Sequence, residues 1–306
     1  MRFLPCVVLF VAVGANAQSI NISNFYYRDY LDFGQNKGVF KEVNTTLTGK
    51  DGTNLTIPQI PNFAASSNYG SLTSIGRGFA VTANHVGSPE GAVGLLDWGL
   101  TKYSVTKEDA LDCDNCKPLD SISKIYGYDT KFYRLNKYVV EGQVGMLDID
   151  NTKTKDTNES ENIKKFTEQL EKFKDDKGNI YLYQSGSGIV RLRGTNNTQE
   201  FYTDETGERK GGGFGTLGKV DYYNDGMAFY YHPMTGFYNQ ITSGDSGSGI
   251  YAYDKDKGWI LLGVVSRDNG AISVASNKDF MDYQSKFEHK IDLQSDTKWT
   301  LTNLRI

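Results

Sequence analysis

Short runs of apolar and aromatic residues, broken by glycine and polar turns, recur through the second half of this 306-residue chain. Residues 180–183, 188–192, 220–223, 227–231, 249–253 and 259–266 all read this way. Short strands at this spacing suit a closed barrel. With 20 Tyr and 33 Gly against 6 Pro, the body as a whole reads as all-β. In the first half, residues 24–60 begin with a short helix and continue as strands around the turn Gly49-Lys50-Asp51-Gly52. Residues 75–83 read as one barrel strand ending at a turn, and residues 128–142 hold a further pair of strand candidates. One stretch departs from the pattern. Residues 150–178 are dense in Lys, Glu, Asp, Asn and Thr, and Ile163, Phe166, Leu170 and Phe173 recur at helical spacing. This predicts an amphipathic helix in a connector, packed on the β body; a membrane-seeking helix would need a more basic face.

Residues 1–17 have the grammar of a secretory signal peptide: Arg2, an apolar run, then Ala15-Asn16-Ala17. The run is too short to span a bilayer, and no later segment approaches that length. The chain is therefore expected to be exported, with no membrane segment of its own beyond the signal peptide. A formal net charge of −4 with both signs mixed gives no reason to expect a nucleic-acid partner. Cys6 leaves with the signal peptide, so Cys113 and Cys116 remain in Asp112-Cys113-Asp114-Asn115-Cys116. Such a pair can be a redox centre, half a metal site or a small disulfide. A redox centre wants a strand before and a helix after it, and a metal site would need two more ligands. In an oxidising compartment the disulfide is the favoured reading.

Two motifs carry chemistry. Gly244-Asp245-Ser246-Gly247-Ser248-Gly249 sets a serine in a glycine-rich turn. Far upstream, Thr82-Ala83-Asn84-His85 holds one of only 3 histidines. A serine hydroxyl is a poor nucleophile until a base takes its proton, and a histidine near its ordinary pKa suits that task. His232 and His289 lie in no motif and read as structural. Asp245 also reads as structural. Gly213-Phe214-Gly215-Thr216-Leu217-Gly218 satisfies GxGxxG, but no strand–turn–helix context surrounds it. It reads as a flexible hairpin loop, and no cofactor is expected.

The order of the two motifs resembles that of the chymotrypsin-like peptidases, whose triad runs His, Asp, Ser. Further blocks narrow the likeness. Tyr27-Arg28-Asp29-Tyr30-Leu31-Asp32-Phe33, then Asn36-Lys37-Gly38, resembles the opening of the mature passengers of IgA-protease-type autotransporters. Asp129 stands five residues before Arg134-Leu135-Asn136-Lys137, as in their aspartate block. The serine block is followed by Trp259-Ile260-Leu261-Leu262-Gly263-Val264. Two positions depart from the pattern, Asn84 before the histidine and Gly249 after Ser248; neither handles a proton in the reaction.

The resemblance implies a chymotrypsin-like double β-barrel with an inserted amphipathic helix and a short C-terminal β tail. The expected organisation is a signal peptide at 1–17 and a peptidase domain at 18–290. Within it the barrels fall at about 36–148 and 179–288, joined by the connector 149–178. Residues 291–306 would begin a truncated β-helical stalk. His85 is then the general base, Asp129 the orienting acid and Ser246 the nucleophile; Asp109, Asp112, Asp114 and Asp120 are the competing acids. The oxyanion hole is expected from the N–H groups of Gly244 and Ser246. Ser266 is expected on the strand that pairs with substrate, and Gln240 at the floor of the specificity pocket, where the lack of an acid argues against a Lys or Arg preference. These expectations describe a monomeric serine endopeptidase acting on proteins or peptides, without metal. It would lie in the periplasm as a fragment, and at the cell surface or beyond as part of a full autotransporter. The competing reading is an inactive or truncated passenger fragment serving as an adhesion or binding module.

Overall fold

The computed structural model describes residues 24–41, 44–57, 59–86, 95–105, 129–148, 159–188, 205–223, 226–233, 237, 241, 244–267, 270–273 and 275–276. Outside these lie residues 1–17, expected as a signal peptide, Cys113 and Cys116, the competing aspartates, Gln240, His289 and residues 291–306.

Strands dominate. In chain order they are β1 (Thr45–Thr48), β2 (Asn54–Ile57), β3 (Thr73–Gly76), β4 (Phe79–Thr82), β5 (Asp97–Trp98), β6 (Thr101–Lys102), β7 (Lys131–Arg134) and β8 (Gly145–Asp148). Then come β9 (Tyr181–Gly186), β10 (Gly211–Tyr223), β11 (Gly226–Pro233), β12 (Gly249–Asp254), β13 (Gly258–Arg267), β14 (Gly270–Ser273) and β15 (Ala275–Ser276). The helices are α1 (Tyr27–Gly34) and α2 (Glu159–Leu170).

The C-terminal strands form a ring. Hydrogen bonding runs β12-β9-β10-β11-β14-β13, and β13 pairs back onto β12. Every pairing within the ring is antiparallel, so the ring leaves no open edge among its own strands. Alternate residues along its strands face opposite ways. Leu182, Ile250, Ala252, Ile260 and Leu262 join one core cluster, closed by Phe166 and Leu170 of α2 and by Phe173 just beyond it. Tyr183, Tyr251 and Leu261 join another, shared with α1 and the N-terminal strands. The helical spacing at Ile163, Phe166, Leu170 and Phe173 thus marks the face that covers the ring. The parallel strand β8 runs beside β13, and β15 beside β8.

In the N-terminal part, β3, β4 and β7 form an antiparallel sheet, while β1-β2 and β5-β6 are hairpins. The stretch expected as one strand at 75–83 is two. Gly76, Arg77 and Gly78 all have positive φ (89°, 56° and 75°), which folds the chain back on itself as β3 turns into β4. Residues 128–142 likewise yield one described strand, β7, rather than two.

The GxGxxG stretch is also not a loop. Gly213, Gly215 and Gly218 lie inside β10. At Gly212 a Cβ would sit 2.3 Å from the Gln184 carbonyl oxygen, a backbone approach that glycine allows, whereas at Gly218 it would meet the exposed His232 ring at 2.6 Å, a side chain that can turn aside. On the helix side, a Cβ on Gly34 would meet the Gly211 backbone at 2.5 Å. Glycines at these positions let α1 lie directly on β10, where Tyr30 and Phe33 pack on Phe237 at 4.5 and 5.5 Å between ring centres.

Candidate functional site

His85 leaves the end of β4, and Asp129 precedes β7. The two strands pair as Thr82↔Lys131 on their last rung, so the ladder delivers both residues to one place. The backbone N–H of His85 donates to Asp129 Oδ1 at 2.9 Å, and the ring Nδ1 lies 2.6 Å from Asp129 Oδ2. An ionised carboxylate only accepts. Nδ1 therefore carries the proton, and Nε2 is left as an acceptor. Ser246 Oγ lies 2.7 Å from that Nε2 and donates to it.

Ser246 sits in the tight turn before β12. Gly244 and Gly247 have φ of 98° and 83°, values that suit glycine and strain other residues. The turn is pinned by Gly247 N–H to the Val265 carbonyl (2.8 Å) and by Ser248 N–H to the Asp245 carbonyl (2.9 Å). Among the described residues, the N–H groups of Gly244 and Ser246 have no hydrogen-bond partner. The His85 side chain is 47% exposed and the Asp129 side chain 17%, so the imidazole faces solvent while the carboxylate is largely covered.

Asp245, beside the serine, is buried, and its Oδ1 accepts from Gly188 N–H at 2.8 Å. That is a structural contact. His232 is exposed on β11. Ser266 lies near the end of β13, two residues past the Gly249↔Val264 pair. Sequence reading assigned it to a substrate-pairing strand but missed what its side chain does: the Ser266 hydroxyl donates to Asp129 Oδ2. No local pattern marks this contact, which joins a residue near the end of β13 to one just before β7, 137 positions away in the chain. A second overlooked residue is Thr82, whose hydroxyl donates to the Ser71 carbonyl at 2.6 Å directly beneath the serine turn.

Among the described residues, no group of three or more His, Cys, Asp or Glu is arranged to hold a metal ion. No described helix is long and apolar enough to cross a membrane. A pocket of about 230 Å³ lined by Phe173, Tyr181, Tyr183 and Tyr253 includes none of the three site residues.

The chain is 32% identical over 268 residues to the serine protease Pet autotransporter of Escherichia coli, which covers 81% of this chain and 18% of that one. It is 27% identical over 305 residues to the E. coli serine protease EspP, covering 94% of this chain and 21% of the relative. The chain thus spans about a fifth of the length of these relatives. Among solved structures, the passenger domain of the plasmid-encoded toxin of enteroaggregative E. coli matches with a TM-score of 0.55 at 24% identity, over 86% of this chain and 26% of that one. The Haemophilus influenzae Hap adhesin matches with a TM-score of 0.52 at 20% identity, over 84% of this chain and 27% of that one. Both are likenesses of fold. The family model described as immunoglobulin A1 protease matches residues 18–286, and the chain therefore belongs to that family of serine-type peptidases.

Proposed function

We propose that this chain is a secreted serine endopeptidase that cleaves extracellular host proteins or glycoproteins through Ser246, His85 and Asp129. The observation that supports it most is the unbroken hydrogen-bond chain from the Asp129 carboxylate through the His85 ring to the Ser246 hydroxyl. In this reading His85 Nε2 takes the Ser246 proton as Oγ attacks the scissile carbonyl. The oxyanion forms against the N–H groups of Gly244 and Ser246. His85 then returns the proton to the leaving amine, giving an acyl-enzyme. Water deprotonated by the same nitrogen adds to the acyl carbonyl, and the carboxylate product leaves as Ser246 regains its proton. Asp129 holds the Nδ1–H tautomer throughout and stabilises the imidazolium. Substrate adds as a strand alongside the end of β13 near Ser266, and Gln240 contributes to the side-chain pocket. The enzyme acts as a monomer after export, and Cys113 and Cys116 form a local disulfide in that oxidising setting.

The deciding experiment is covalent labelling. A fluorophosphonate should label the purified chain at Ser246 and nowhere else. Ser246→Ala should abolish both labelling and peptide cleavage, and His85→Ala should lose activity comparably, because these residues act as a unit. Labelling of Ser248 with Ser246 untouched would overturn the assignment. A folded protein that reacts with no such probe would favour a binding module instead.

A further inference from the structure

The site is assembled from two sources. His85 and Asp129 come from the β4–β7 ladder, and Ser246 comes from the turn before β12. Their alignment depends on how ladder and turn are held against each other. Thr82 is the residue at that contact. It ends β4, pairs with Lys131 two residues after Asp129, and stands three residues before His85. Its side chain is buried, at 1% exposure. Its hydroxyl donates to the Ser71 carbonyl at 2.6 Å. Gly247, next to the nucleophile, lies directly on this pair. A Cβ there would be 2.1 Å from Thr82 Oγ1, 2.5 Å from the Ser71 oxygen and 3.2 Å from the Ala83 nitrogen. The opposite side of Gly247 is tied to β13, where its N–H donates to the Val265 carbonyl. The next residue, Ser266, reaches Asp129.

We propose that Thr82 is a positioning residue. Its hydroxyl, fixed on the Ser71 carbonyl, is the stop on which the serine turn rests, and it sets the gap between Ser246 Oγ and His85 Nε2. The inference rests on the proposed peptidase activity but concerns geometry that exists before any substrate arrives. His85 sits inside the turn closed by Val86 N–H on the Ala83 carbonyl at 3.1 Å, and that turn begins at the residue after Thr82, so a shift at Thr82 carries to the imidazole. A displacement of about 1 Å from the productive geometry can cost about 100-fold in rate. Thr82→Val keeps the shape, but it removes the donor and presses a methyl against Gly247. Thr82→Ser keeps the hydroxyl.

The test pairs these two variants in the full chain. Thr82→Val is expected to lower kcat by about 10- to 100-fold with KM within about twofold, the pattern of an interaction that matters in the transition state. Fluorophosphonate labelling should slow in parallel while the far-UV circular dichroism is unchanged. Thr82→Ser should restore kcat to within about threefold of the parent. If Thr82→Val does not fold, Thr82→Ala in the same assays is expected to show the same loss of kcat. A hydroxyl-free variant that works at the parental rate, or a serine variant as slow as the valine one, overturns the proposal. The low-field proton resonance of His85 Nδ1 gives a readout independent of turnover. It should move in Thr82→Val and stay in place in Thr82→Ser, even if the parent chain proves unreactive. In that case the peptidase reading has failed, and an unmoved resonance in Thr82→Val would sink the positioning role as well.

Discussion

Asp129 is the most heavily engaged residue of the site. Its two oxygens accept from the His85 backbone, the His85 ring and the Ser266 hydroxyl. Asp129→Asn would keep the shape and replace one acceptor with an NH₂ donor, which favours the wrong imidazole tautomer. Turnover should fall by about 10⁴-fold with the fold intact, as steady-state kinetics and circular dichroism can check. Ser266→Ala removes one donor of three and leaves the tautomer alone. It should cost only about tenfold in kcat, the equivalent of a single hydrogen bond. Equal losses in the two variants would mean that the carboxylate is held by Ser266 rather than by the imidazole. His85 and Ser246 were legible in the sequence because their chemistry demands particular neighbours, above all glycines at the positive φ of Gly244 and Gly247. Asp129 was legible only through its distance from Arg134-Leu135-Asn136-Lys137. The Ser266–Asp129 and Thr82–Gly247 contacts were not legible, since each depends on where segments far apart in the chain come to rest.

Elements were readable where one period ruled. The apolar spacing that predicted α2 survives as the buried face of Phe166 and Leu170. It failed where glycine served packing rather than turning: β10 reads as a loop because α1 and β9 press on its backbone, a fact held in other parts of the chain. The segment between β7 and β8 is irregular and is held by side chains. Tyr103 donates to Glu141 Oε2 at 2.6 Å, with Val140 N–H on the same oxygen at 3.2 Å. Burial pushes the Glu141 carboxyl upward, but the hydrogen bonds from Thr101, Tyr103 and the backbone outweigh it and hold the group below its usual range. The folded state therefore favours the charged form. Its stabilisation is complete above the ordinary carboxylate pKa and is lost as pH falls through the lowered value. Tyr103→Phe should cost about 1 kcal/mol at neutral pH, less than is usual for a bond to a charged group because Glu141 is partly solvated. The deficit should shrink below about pH 4. Urea denaturation at pH 7 and pH 3 would show this, and a deficit independent of pH would mean that the hydroxyl matters for its contact with Thr101 rather than for the charge on Glu141.

At the scale of the whole molecule, the ring and the N-terminal strands meet along a seam that is polar as well as apolar. Asn68 is buried there, donating to the Gly99 carbonyl at 2.8 Å and the Thr206 carbonyl at 2.9 Å. The Tyr251 hydroxyl lies 2.6 Å from Ser66 Oγ. The most costly component is Lys210, 1% exposed at the start of β10. Its ammonium donates to the Phe63 and Ser66 carbonyls and pairs with Glu208 at 3.0 Å. Nothing around Lys210 in the sequence marks it as buried, because the carbonyls that receive it lie some 145 positions upstream. An ammonium taken out of water persists only where such acceptors surround it. Lys210→Met would fill much of the space and supply no donor. Two buried carbonyls would lose a partner, and Glu208 would lose its 3.0 Å ion pair while keeping the longer one to Lys37, at 3.6 Å. The expected loss is about 3 kcal/mol of stability, the lower end for breaking a buried charge pair because Glu208 stays partly solvated. Equilibrium urea unfolding measures it directly. A variant within about 1 kcal/mol of the parent would mean that apolar packing of α1 and Tyr251, not the buried ammonium, holds the ring to the N-terminal strands.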